Sequence, residues 1–190
     1  MKLHELLLET RSIRRFKQEE IPMEDLRDMI NDVRLAPSGN NVNELRYIVI
    51  TDKALRDEIS KLTYYAASLP RELGEPKENE HAMAYILILS PKKPSIHMHV
   101  NTGIAAEILV LSAREKGIGS VMMKNFNVTK VNELLNVPED YTAELLIPLG
   151  YADHTSTIVE VKDGDTHYYV DDDVNYYVPK YEIDDIATFK

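Results

Sequence analysis

Two short stretches near the N-terminus carry residue types suited to gripping an anion and a flat polar ring. The first is Arg11-Ser12-Ile13-Arg14-Arg15-Phe16, with three guanidinium groups around one hydroxyl. Guanidinium forks bind phosphate through paired N–H donors and keep their charge throughout the physiological pH range. The second is Ala36-Pro37-Ser38-Gly39-Asn40-Asn41-Val42-Asn43, small and rich in amides. One Asn side chain supplies both a donor and an acceptor, which is what the carbonyl and imide edge of a heterocycle needs. A coenzyme with a phosphate at one end and a tricyclic ring at the other matches this pair of turns, and FMN is that coenzyme. Its reduction places negative charge at one ring edge, where a fixed guanidinium or ammonium group stabilises it.

The flanking sequence supplies the elements that must hold these turns. Leu3, Leu6 and Leu7 recur at helical spacing, so residues 2–10 read as a short helix leading into an extended 11–16 loop. Pro22 opens a second helix with Glu24 and Asp25 in its first turn and Leu26, Ile30 and Val33 inward. It must stop before Pro37, because the residue ahead of a proline is driven out of the α region. Residues 46–51 form a β-branched strand, and Asp52 caps a helix with Leu55, Ile59 and Leu62 inward. Residues 69–81 are polar and broken by Pro and Gly, and read as a loop or lid. A buried strand at 84–90, a long helix at 100–116, a strand at 118–123, a helix at 128–135 and a strand at 144–149 complete the pattern. Gly103 in the long helix suggests close packing against another surface. Strands interleaved with helices give an α/β or α+β sandwich. After Gly150 the chain turns Asp- and Tyr-rich, and 157–170 reads as a hairpin about Asp163-Gly164-Asp165. With so little core of its own, this segment should pack on the parent sheet edge or on a partner subunit.

The 190 residues contain no cysteine, which excludes disulfides, thiolate metal sites and cysteine nucleophiles. A net charge of −10 argues against nucleic-acid binding. No apolar run approaches the roughly 20 residues of a membrane span, and the N-terminus lacks a signal-peptide pattern, so a cytoplasmic location is the default expectation.

Five segments in register resemble the nitroreductase family of FMN-dependent NAD(P)H oxidoreductases. They are Arg11-Ser12-x-Arg14, the 36–43 turn, Gly103-Ile104-Ala105-Ala106-Glu107-Ile108-Leu109, the 117–126 stretch and Leu146-Ile147-Pro148-Leu149-Gly150-Tyr151. The resemblance implies an α+β fold, a three-layer sandwich whose mostly antiparallel central sheet is flanked by helices. It implies an FMN-binding domain over 1–151, a C-terminal extension over 152–190, and an intertwined homodimer with FMN at the subunit interface. Arg11 and Ser12 would hold the phosphate, and Arg14 would face the pyrimidine edge and stabilise reduced flavin. Pro37, Ser38, Asn41 and Asn43 would border the ring, with Met123 beneath it and backbone N–H groups near Lys124 and Asn125 reaching O4 and N5. NADH or NADPH would bind transiently, and ping-pong hydride transfer would pass to a small electron-poor acceptor such as a nitro compound or quinone. The chain departs from the pattern at Thr10, where a further basic residue is common. Glu44-Leu45 replaces a common Pro-Trp, and the C-terminal segment has no arginine.

Other motifs read as structural. His97-Met98-His99, taken as a strand, would put two histidines on one face, short of a metal site, and reads better as a helix-entry segment near the flavin face. Asp171-Asp172-Asp173 lacks the ligand spacing of a calcium loop. Gly117-x-Gly119 lacks the third glycine of a dinucleotide fingerprint. Two alternatives stay open at this point: a flavin-free or non-catalytic dimeric module, and the same fold with other chemistry, such as reductive dehalogenation or flavin breakdown.

Overall fold

The computed structural model describes residues 2–190. A four-stranded antiparallel sheet lies at its centre, in the order β1 (Arg46–Ile50), β2 (Ala84–Pro91), β4 (Tyr141–Gly150), β3 (Gly119–Ser120). Successive side chains of a strand point to opposite faces, and β2 is apolar at nearly every position, so it feeds a core on each side. Ala84, Ile86 and Ile88 join Ile147 and Leu149 of β4 under α2 (Met23–Arg34) and α5 (Met98–Glu115). Tyr85, Leu87 and Leu89 join Leu146, Phe16, Ile59 of α3 (Lys53–Ser60) and Val131 of α6 (Val128–Leu134) on the other face. This is the α+β three-layer sandwich with a mostly antiparallel centre. The helix starts follow the sequence: Pro22 precedes α2, and the Asp52 carboxylate accepts from the Leu55 N–H at 3.0 Å.

Several expectations change. The 118–123 strand is shortened to β3, with Met123 paired to Leu146 only as an isolated bridge. Among the described residues nothing beyond the glycine's neighbours and its own helix backbone lies within 4 Å of a Cβ built on Gly103, so this glycine does not mark a close intrachain contact. The helix-entry reading of the 97–99 segment holds: His97 precedes α5 and His99 lies in its first turn.

The 69–81 segment folds into α4 (Arg71–Gly74) and a 3₁₀ turn at Glu78–Glu80, and it is tied down from beneath. Arg15, 5% exposed, pairs with Glu80 at 2.9 Å and donates to the carbonyls of Leu73 and Glu75. A lone buried guanidinium would be costly, and these partners satisfy most of its fork.

The hairpin expected in the tail does not form. β5 (Ser156–Glu160) pairs in parallel with β7 (Tyr176–Lys180), which pairs antiparallel with β6 (Tyr169–Val170). The Asp163-Gly164 turn closes only the Lys162–Asp165 bridge, so alternation and a turn signal gave the strands without their pairing. This small sheet rests on the 11–16 loop of its own chain. The Asp153 N–H donates to the Arg15 carbonyl at 3.0 Å, and Phe16 bridges to Ala152. A short helix, α7 (Ile183–Ile186), follows with both isoleucines exposed.

Candidate functional site

The basic turn is seated on the sheet edge. Ser12 bridges in parallel to Ser120, and the Ile13 N–H donates to the Ser120 carbonyl at 2.8 Å. Arg11 donates to the Leu7 carbonyl at 2.7 Å, while its Nε is buried and has no partner among the described residues. Burial pulls the Arg11 guanidinium below its ordinary value, and nearby Glu107 opposes that shift. Arg11, Ser12, Thr10, Glu107 and Ser120 border a depression of about 210 Å³. A cleft of about 150 Å³ adjoins it, sharing Val121 and Met122, and is lined by Arg14, Met123, Lys124, Asn125, Tyr64, Tyr65, Ala66, Ala67 and Tyr168.

Around this cleft the side chains of Lys124 and Asn125 are already committed. Lys124 forms an ion pair with Glu144 and also reaches its backbone carbonyl, and the Asn125 amide donates to the Tyr64 carbonyl at 3.3 Å. The backbone N–H groups of Lys124 and Asn125 have no acceptor among the described residues. The Arg14 guanidinium lies 4.8 Å from the ring centroids of both Tyr168 and Tyr176.

The amide-rich turn sits elsewhere. Asn40, Asn41 and Asn43 adopt φ of 51°, 54° and 47°, the left-handed region that Asn tolerates better than other residues bearing a side chain. The Asn43 amide folds back onto the Asn41 carbonyl at 2.8 Å, and the Asn43 N–H donates to Ser38 Oγ at 3.2 Å. The turn is bolted to the start of α5. Asn101, 3% exposed, accepts from the Gly39 N–H at 2.8 Å and donates to Glu44 at 2.9 Å. Glu44 also accepts from the Ser95 N–H and hydroxyl at 2.8 and 2.7 Å. Burial pushes the Glu44 carboxyl up, but the hydrogen bonds from Ser95 and Asn101 and the nearby His97 outweigh it and hold it below its ordinary value. A Cβ on Gly39 would meet His97 Cγ at 2.4 Å, so the approach of turn to helix needs glycine. Pro37, Ser38, Asn43 and Glu44 border a third hollow, of about 270 Å³.

That hollow shares no lining residue with the other two. Within one chain the two turns therefore do not converge on one cleft. They lie along the same helix, one beside Glu107 and Val110 and the other beside Asn101 and Ala105. None of the hollows reaches the roughly 300 Å³ at which small-molecule pockets begin. Sequence reasoning paired the turns by chemistry and missed the groups that fix each of them. Tyr64, Tyr65, Asn101, His154, Tyr168 and Tyr176 belong to these surroundings. The one legible signal was Asn101, an amide on the otherwise apolar face of a long helix.

The Nitroreductase family profile matches residues 7–151. This chain belongs to the nitroreductase family. An iodotyrosine deiodinase from Thermotoga neapolitana is 29% identical over 165 residues, covering 80% of this chain and 89% of the relative. The structure of an FMN-dependent nitroreductase from Clostridium difficile R20291 superposes with a TM-score of 0.67 at 26% identity, covering 84% of this chain and 92% of that one. Oxidized iodotyrosine deiodinase bound to FMN and 3-iodo-L-tyrosine superposes with a TM-score of 0.69 at 25% identity, covering 89% of this chain and 100% of that one. The family is one of oxidoreductases, and these structural neighbours are FMN proteins. Among the described residues no helix is long and apolar enough to cross a membrane.

Proposed function

We infer that this protein is an FMN-dependent oxidoreductase that takes reducing equivalents from NADH or NADPH and passes them to an electron-poor aromatic or quinone. The donor set around the 121–125 segment carries the reading. It combines an orphaned Arg11 Nε, the Ser12 hydroxyl, the Arg14 fork and two unpaired backbone N–H groups at Lys124 and Asn125. These suit a phosphate at one end and a polar ring edge at the other. FMN, when bound, supplies the hydride chemistry. Arg11 and Ser12 would hold the phosphate, and Arg14 would offer fixed positive charge at the pyrimidine edge, which would favour the reduced cofactor. The N–H groups of Lys124 and Asn125 would donate to the ring's O4 and N5, with Met123 alongside.

The second turn completes the site from another copy of the chain. Pro37, Ser38, Asn41 and Asn43 border the ring across a homodimer interface. Leu3, Leu7 and Leu8 of α1 (Leu3–Glu9) and Val100 of α5 expose apolar side chains that such an interface would cover. The purified protein is expected to be yellow, to run as a dimer and to bleach anaerobically with NADH or NADPH. Colourless protein that rejects added FMN would overturn the assignment.

The tyrosine-lined cleft and the deiodinase relative favour a second acceptor class, a halogenated phenol. In that reaction a hydride from NAD(P)H replaces the halogen on carbon, and halide leaves with the bonding pair. Halide release from 3-iodo-L-tyrosine without turnover of nitroaromatics would select this reading.

A further inference from the structure

The match to the family ends at Tyr151, yet three residues beyond it close around Arg14. Tyr168 and Tyr176 both approach its guanidinium, each with a centroid at 4.8 Å, and their own centroids lie 6.0 Å apart at an interplanar angle of 40°. His154 takes its backbone: the Arg14 N–H donates to His154 Nε2 at 2.9 Å, and His154 Nδ1 lies 2.8 Å from the Thr155 carbonyl. One tautomer satisfies both contacts, with the proton on Nδ1. His154 in turn packs on Tyr176 with ring centroids 4.8 Å apart and the planes tilted by 46°, and Tyr176 is fully buried. Arg14 and Tyr168 both line the cleft formed with Met123, Lys124 and Asn125.

We propose that the C-terminal extension is a working part of the site, with Tyr168, Tyr176 and His154 as positioning residues that fix Arg14 against the cofactor. A flexible arginine spreads its charge over many rotamers. A guanidinium held in the angle between two rings is confined to few orientations, and among the described residues its only side-chain hydrogen bond is to the Ser12 carbonyl at 3.4 Å. Preorganised charge of this kind stabilises a developing anion without reorganisation. The inference rests on the flavin reading above and assigns the extension a role in setting the flavin's potential and grip.

The test is a double-mutant cycle. Tyr168→Leu removes one ring face, and Tyr168→Phe keeps it. In the wild-type background Tyr168→Leu is expected to weaken FMN binding roughly two- to thirtyfold, the range for losing one cation–π face, and to lower the flavin midpoint potential. Tyr168→Phe should restore both. In an Arg14→Ala background Tyr168→Leu should change neither, because its effect acts through Arg14. A fall in potential that persists without Arg14, or no fall in either background, overturns the proposal. Hydrogen exchange of cofactor-free protein separates this failure from that of the flavin reading. Arg14→Ala should speed exchange across residues 168–177 whether or not FMN binds. Unchanged exchange overturns the clamp itself, whereas faster exchange in a chain that takes no FMN overturns only the flavin reading and the role built on it.

Discussion

The two turns meet similar chemical demands by opposite means. The amide-rich turn, with three residues at positive φ, is held by hydrogen bonds that run through one buried residue, Asn101, and one ionised residue, Glu44. The basic turn sends its side-chain hydrogen bonds outward, from Arg11 to the Leu7 carbonyl and from Arg15 to Glu80 and the carbonyls of Leu73 and Glu75. It is pinned by strand pairing to Ser120, by the buried Arg15 beneath it and by aromatic faces from a segment far along the chain. The polar turn is satisfied partly by its own groups and partly by neutral donors and acceptors from residues 95–101. A cluster of cations cannot satisfy itself, so all its supports come from elsewhere: carbonyls, a carboxylate and ring faces. The comparison predicts that a lesion in the brace of the amide-rich turn acts first on stability, whereas lesions in the basic turn act first on ligand binding.

The largest effects should fall on the basic turn. Arg11→Ala is expected to weaken FMN binding by roughly ten- to hundredfold, the worth of one or two charge-assisted hydrogen bonds, with little change in melting temperature. Arg14→Ala should lower flavin potential and turnover by more than it lowers occupancy. Titrating each apo-variant with FMN while following its thermal melt checks both; two variants that purify fully loaded and active would break the contrast.

On the other side, Asn101→Ala strands the Gly39 N–H and removes one of two donors to a Glu44 oxygen in a half-buried setting. It should cost about 1–3 kcal/mol of stability, read by denaturant unfolding of the cofactor-free chain. A loss confined to FMN binding would show that Asn101 serves the ligand and not the turn.

A smaller effect sharpens the comparison by pH. Burial lowers the pKa of His154 from its ordinary 6.5, Arg14 and Arg15 add to that, and the Thr155 carbonyl and Asp153 oppose it. The folded state therefore resists a proton that the unfolded chain accepts. The His154 contribution is complete above pH 6.5 and is lost as the pH falls from there through its lower folded value. His81 is shifted the same way by burial and adds to the slope. Glu44, by contrast, sits below its ordinary 4.5, so its contribution is lost only in more acid solution. Melts between pH 7 and 5 should loosen the tail on the basic turn and spare the amide-rich turn, and His154→Gln should flatten part of that dependence.

The least effect is expected at Lys124, whose side chain is 63% exposed beside Glu144. Lys124→Ala should change stability by under about 1 kcal/mol and leave FMN affinity nearly intact, since the backbone N–H is the proposed contact.

Much of the fold was legible because β2, α2 and α5 announce themselves by period, caps and burial. The pairing inside the tail was not, since alternation at 157–162 and 167–170 says where strands run but not which neighbours they take. Arg11, Ser12, Arg14 and the 36–43 turn could be picked out because their chemistry is local. Tyr168 and His154 could not, because nothing within a few residues of a tyrosine reveals that an arginine some 150 positions earlier, as the chain separation of 140 for Arg14 and His154 illustrates, will come to lie beside it. Glu44 stands where the family pattern has another residue, and its partners Ser95 and Asn101 show it as the bolt of the turn.

Subunit complementation tests the central claim, that each chain carries two half-sites joined only between copies. One chain would carry Arg11→Ala with Arg14→Ala, and a second would carry Ser38→Ala with Asn43→Ala. Each alone should bind FMN poorly. Co-expressed with different tags and purified as the mixed dimer, they should regain FMN at one wild-type site per pair. A mixed dimer that forms and stays colourless would contradict the account.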